Sequence, residues 1–185
     1  MNNAERLVAM LNALYPIQSA GCLEARAESR LLAYEGDDLR SYLKKVREPE
    51  DAPFVGFLIK NDKQHQIFLL ALDACFFHSD GPKRCDCLIF DDNYLCFVEL
   101  KLNVTVRRQS TAKLNDARQQ LGESIRFFKT NVLPNVVTDI PHKLEAYAVM
   151  QDAVYPRNRA ARQTVFVRFL EQYGVRLFEA SIKEF

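Results

Sequence analysis

Apolar residues recur at helical spacing from Ala4 to Leu14, with Leu7, Met10, Leu11 and Leu14 on one stripe, and Tyr15-Pro16 closes that helix. The same spacing through Leu23, Ala27, Leu31 and Tyr34 predicts a second helix over about Cys22 to Tyr34. Gly36-Asp37-Asp38 interrupts it, and Leu39 to Val46 predicts a further short helix. Glu48 to Pro53 is polar with two prolines and reads as a connector. Phe54 to Ile59 and Gln66 to His78 then predict strands, paired as a hairpin about Asn61-Asp62-Lys63. Asp80-Gly81-Pro82 marks a turn before a longer hairpin from Arg84 to Leu102. Beyond it, Leu114, Ala117, Leu121, Ile125 and Phe128 predict an amphipathic helix over Ala112 to Lys129, with Ser110 or Thr111 as N-cap. Leu144 to Met150 reads as a buried strand, and Gln163 to Tyr173 as a helix closed by Gly174. Val175 to Ile182 is the expected last strand. The order predicts an α/β sandwich with a mixed sheet in one domain over residues 1–185, helical to residue 50, with its core in 54–185.

The Arg84–Leu102 hairpin carries charge where charge is costly. Asp92-Asn93 suits a two-residue turn, because Asp and Asn tolerate the left-handed backbone. Counting outward pairs Asp91 with Tyr94, sets Asp86 opposite Glu99 and Arg84 opposite Lys101. Opposed side chains share a face, with Cβ atoms roughly 5 Å apart. Lys101 joins Glu99 on that face through the period of two, together with Leu88, Phe90, Leu95 and Phe97. Cys85, Cys87, Ile89, Cys96, Val98, Leu100 and Leu102 fall on the other. Strands apolar on both faces belong in a sheet covered by helices.

Two adjacent carboxylates repel, and a divalent cation removes the conflict. Mg²⁺ keeps several waters and often takes one or two protein carboxylates plus a substrate phosphate. Such an ion makes bound water a better nucleophile and stabilises charge on a phosphoryl oxygen. Lys101 could orient or deprotonate that water, or offset transition-state charge. The bland reading of the trio is a buried ion pair with the second acid solvated.

An Asp on one strand, a short hairpin and E-x-K on the next resembles the PD-(D/E)XK, or restriction-endonuclease-like, nuclease superfamily. In that resemblance Asp86 matches the metal-binding Asp, Glu99 the second acid and Lys101 the catalytic lysine. Cys85 stands where the name has proline. The resemblance implies a three-layer α/β/α sandwich with a central mixed sheet, and Mg²⁺ or Mn²⁺ as cofactor. It also implies a further acid from the helix before the sheet, with Glu28 preferred over Glu24 as metal ligand. A glutamine from the helix after E-x-K is expected near the metal, Gln120 rather than Gln119. Asp73 lies inside a predicted strand and is assigned a structural role. Cys75, His78, Cys85 and Cys87 lack the paired C-x-x-C spacing of structural zinc.

Composition limits the substrate more than the site. Hydrophobic residues make up 48% and charged residues 26%, ordinary for a globular domain, and the net charge of +1 is weak for a nucleic-acid binder. Two basic runs offset this: Arg107, Arg108, Lys113 and Arg118, then Arg157, Arg159, Arg162 and Arg168. No apolar run reaches the ~18 residues of a membrane span, the start lacks a secretion signal, and five cysteines read as reduced thiols. The expected place is the cytoplasm. The expected function is a metal-dependent nuclease acting on nucleic acid, DNA favoured over RNA, with a homodimer or partner protein supplying specificity. The alternative is a catalytically silent nuclease-fold module that binds nucleic acid or protein.

Overall fold

The computed structural model describes residues 1–16, 21–46, 55–77, 83–104, 106–135, 143–151, 154–155 and 159–185. Helix α1 (Asn3–Leu14) opens with a capping box, in which the Asn2 side chain accepts from the Glu5 amide and the Glu5 side chain from the Asn2 amide. Three strands follow: β1 (Leu23–Arg26), β2 (Arg30–Glu35) and β3 (Ser41–Lys45). Then come β4 (Phe57–Lys60), β5 (Ile67–Ala71), β6 (Cys87–Phe90), β7 (Tyr94–Leu100), helix α2 (Arg107–Phe127), β8 (Lys143–Val149), helix α3 (Arg159–Tyr173), β9 (Arg176–Phe178) and β10 (Ile182–Glu184).

The described strands form two sheets. The larger has the order β1-β5-β6-β7-β8-β9, antiparallel up to β7 and parallel from β7 to β9. The smaller has the order β10-β4-β2-β3. One face of the large sheet, with Leu88, Phe90, Leu95 and Phe97, packs on α1 (Ala4, Leu7, Leu11), on α2 and on Phe169 of α3. The α2 stripe Leu114, Ala117, Leu121 and Ile125 is fully buried there. The other face, with Cys87, Ile89, Cys96 and Val98, packs on Leu31, Ala33, Phe57 and Ile59 of the small sheet. The layers are therefore helix, sheet, sheet. The α/β class with a mixed sheet holds, but the cover expected from helices on the second face is a second sheet.

The N-terminal third accounts for most departures. Both helices expected between Cys22 and Val46 are strands. Leu23, Ala27, Leu31 and Tyr34 do lie at helical intervals, but Glu24, Arg26, Glu28 and Arg30 also alternate with period two. Pairing of β1 with β5 and of β2 with β3 and β4 satisfies the backbone and buries Leu31 and Ala33, which outweighs local helix propensity. Gly36-Asp37-Asp38 lies in the β2–β3 turn, with Leu39 at φ 64. β4 and β5 are not a hairpin: they belong to different sheets. β5 ends at Ala71 and gives way to a wide π-type turn, Leu72–Phe76, in which Ala74 takes a left-handed φ of 56. Helix α2 begins at Arg107 after Val106, ahead of the expected Ser110 or Thr111 cap, and Ser110 is buried. The expected last strand is divided into β9 and β10. Gly174 closes α3 at φ 63 as expected.

Cys22 and Cys75 form a disulfide, while Cys85, Cys87 and Cys96 are free and buried. This corrects the expectation of five reduced thiols and removes one support for a cytoplasmic location. Among the described residues, no helix is long and apolar enough to cross a membrane.

Candidate functional site

The β6–β7 hairpin has the register counted from its turn. Cys87 pairs with Val98, Leu88 with Phe97 and Phe90 with Leu95. Asp91 holds the turn: its Oδ1 accepts from the Asn93 and Tyr94 amides at 2.9 and 2.7 Å. Continued by one step, the register sets Asp86 across from Glu99. The ladder itself stops there. The Asp86 carbonyl turns to β5 and accepts from the amides of Leu72 (2.8 Å) and Asp73 (3.3 Å), while its carboxylate Oδ2 accepts from the Leu100 amide. Asp86 thus bridges the ends of β5 and β7, fixed from both sides. Cys85, just before it, turns to the helix side, where Ser124 Oγ accepts from its amide at 2.8 Å. It does not share a face with Cys87, because strand alternation begins only at Cys87.

Lys101 follows β7, and its amide donates to the Val149 carbonyl at 2.7 Å. Its Nζ forms an ion pair with Glu99 Oε1 and donates to Gln120 Oε1 at 2.8 Å. Gln120 reaches it because Ala117 and Leu121 press α2 onto the large sheet. Glu99 is 1% exposed, Asp86 8%. The second Glu99 oxygen, Oε2, is buried with no hydrogen-bond partner, which is costly for a carboxylate.

Electrostatics follow from this burial. Desolvation pushes the Asp86 carboxyl up to about 7, against the lowering effects of the Leu100 amide and Lys101; Glu35 and Asp73 add to the rise. Desolvation, then Asp86, push Glu99 well above the usual carboxylate range. Burial works against the Lys101 ammonium, but Glu99 and Asp86 outweigh it and raise its pKa. Glu35, at the end of β2, is raised by desolvation, lowered by Lys101 and raised by Asp73.

Asp86, Glu99, Lys101 and Gln120 are brought together. Glu28 is not: it lies in the β1–β2 turn and pairs with Arg26 Nη1 at 3.4 Å. Arg26 is opposite Ile67, at the far end of β5 from Ala71, roughly 13 Å along the strand. Glu24 is in β1, its Oε2 accepting from the Leu43 amide at 3.2 Å. Neither stands on a helix. The further acids near the trio are Asp73, whose amide bonds to Asp86, and Glu35. Asp73 showed in the sequence as a lone acid in an apolar run. Glu35 carries no signal of its own, because the apolar spacing through β2 also fits a helix. Among the described residues, no three His, Cys, Asp or Glu side chains are grouped to hold a metal ion. A cation here would rest on two carboxylates, water and substrate oxygen, a mode Mg²⁺ accepts, and the orphaned Glu99 Oε2 fits such an ion.

The basic runs are partly spent inside the protein. Arg118 Nη2 and Arg162 Nε hold opposite oxygens of the buried Glu179 at 2.5 and 2.6 Å, which takes up donors that a phosphate would use. Of the cysteine and histidine set weighed for zinc, Cys75 is in the disulfide and His78 lies outside the described residues, as does Arg157. Comparison of the chain with family models, with curated proteins and with solved structures finds no match in any of the three.

Proposed function

We propose that the chain is a metal-dependent nuclease of the PD-(D/E)XK kind, hydrolysing phosphodiester bonds in DNA or RNA. The observation that carries this is the buried pair Asp86 and Glu99 at the end of one hairpin, with the orphaned Glu99 Oε2 and with Lys101 held between Glu99 and Gln120. The order α1, then β5–β6–β7 antiparallel, then α2 and a parallel β8 supports it. The second sheet is then an addition on the far face.

Asp86 and Glu99 would hold Mg²⁺ or Mn²⁺, which supplies Lewis-acid activation of water and of a phosphoryl oxygen. The Leu100 amide fixes the Asp86 carboxylate in one orientation. Glu99 and Asp86 keep the Lys101 ammonium protonated, which favours charge stabilisation and water orientation over proton abstraction. Gln120 Oε1 holds Nζ in place and limits its reach. The test is incubation of labelled DNA and RNA with Mg²⁺, Mn²⁺ or EDTA, with Lys101→Ala as control. The closed Lys101–Glu99 ion pair favours a second reading, a silent binding module, which predicts binding without cleavage in every arm.

A further inference from the structure

Arg84, two residues before Asp86, has no anionic partner among the described residues. Its guanidinium carbon stands 5.2 Å from the ring centres of both Phe77 and Phe127. These rings are perpendicular, 4.9 Å apart, and form a corner for the cation. Arg84 is half-buried, its Nε is buried with no hydrogen-bond partner, and no ion pair among the described residues involves it. Arg118 and Arg162, in comparable burial, are satisfied by Glu179. The two rings hold the guanidinium by cation–π contact and accept none of its N–H donors, and an arginine fork with its donors unspent suits phosphate oxygens.

Its placement links it to the trio. The Cys85 amide donates to Ser124 Oγ at 2.8 Å, and Ser124 Oγ to the Gln120 carbonyl at 3.0 Å. Gln120 in turn holds Lys101. Lys83, next to Arg84, lines a cavity of about 250 Å³ with Gln119 and Gln120. Asp116 and Glu123 line it too, and Arg126 neutralises Glu123 at 2.6 Å. From Gln120, which holds Lys101, to Phe127, which faces Arg84, α2 rises roughly 10 Å.

We propose that Arg84 binds a backbone phosphate of the DNA strand that flanks the one at Asp86, Glu99 and Lys101. This rests on the nuclease reading for the course of the strand. The test is fluorescence anisotropy of labelled single-stranded and duplex oligodeoxynucleotides in EDTA, titrated with salt, for wild-type, Arg84→Gln and Arg84→Lys, with thermal melting in parallel. Arg84→Gln is expected to lower the slope of log K against log salt by about 0.7 on single strands or about 0.9 on duplex, one phosphate contact. Arg84→Lys keeps the charge and the wild-type slope. A wild-type slope in a folded Arg84→Gln protein overturns the proposal, as does equal loss in both variants or no DNA binding by the wild type. Loss of slope without Mg²⁺-dependent cleavage by the wild type sinks the nuclease reading and leaves Arg84 a phosphate contact. Cleavage with an unchanged slope does the reverse.

Discussion

Asp86→Asn should stabilise the metal-free protein at pH 8 while removing its activity. Burial holds the Asp86 carboxyl at about 7 instead of 3.8. Between these values the unfolded chain has lost the proton and the folded chain still carries it. The Asp86 contribution to wild-type stability therefore falls as pH rises from about 4 to about 7 and levels off above. At about 1.4 kcal/mol per tenfold change in proton affinity, the full penalty is on the order of 4 kcal/mol. Asparagine carries no charge to desolvate, and its Oδ1 still accepts from the Leu100 amide. Some local adjustment will reduce the gain, so ~1–4 kcal/mol is expected at pH 8 and almost none at pH 4. Urea unfolding followed by circular dichroism in EDTA, from pH 4 to pH 8, measures it. Added Mg²⁺ should then stabilise the wild type and not the variant, because it binds the folded site alone. An Asp86→Asn protein that is no more stable than wild type at pH 8, or a difference independent of pH, refutes the electrostatic reasoning.

Lys101→Met should lower the cleavage rate by about 10²–10³-fold; it also leaves Glu99 buried without its cation, so a loss of several kcal/mol in urea unfolding is expected near neutral pH, shrinking as acid protonates Glu99. Unchanged kcat in single-turnover assays would contradict the role given to it. Gln120→Ala frees the Lys101 ammonium without removing it, and should reduce kcat about tenfold or less with KM and stability little changed; an unaffected kcat would show that Gln120 holds nothing that matters. Replacing Cys22 and Cys75 by serine opens a link across 53 residues of chain, for which loop entropy sets a ceiling of about 4 kcal/mol. A variant that unfolds at the wild-type urea concentration would show that the bond adds no stability.

The central hairpin was legible because its signals are local and agree. Asp92-Asn93 fixes the turn, period two fixes the faces, and together they set Asp86 across from Glu99 before any packing is considered. The α2 stripe was equally plain, and its phase brings Gln120 to Lys101. Legibility failed where two periods coincide. Between Leu23 and Tyr34 the apolar residues keep helical spacing while the charged residues alternate, and only the partners β5 and β4, distant in sequence, decide between them. Glu28 was misplaced for the same reason, and Glu35 was missed because its strand was not seen. The second sheet follows from this: strands apolar on both faces say that a cover exists, but not whether helix or sheet supplies it. The disulfide depends on Cys22 and Cys75 meeting across β1 and the turn after β5, a contact that no spacing rule encodes.

The most direct measurement of the central claim is cleavage of labelled DNA and RNA by purified wild-type protein in Mg²⁺, Mn²⁺ and EDTA, beside Asp86→Asn, Glu99→Gln and Lys101→Ala. The account predicts hydrolysis by the wild type that requires the cation and vanishes in EDTA, with all three variants folded and inactive. Hydrolysis that persists in EDTA or in the Glu99→Gln protein, or no hydrolysis of any nucleic acid in either metal, would contradict it.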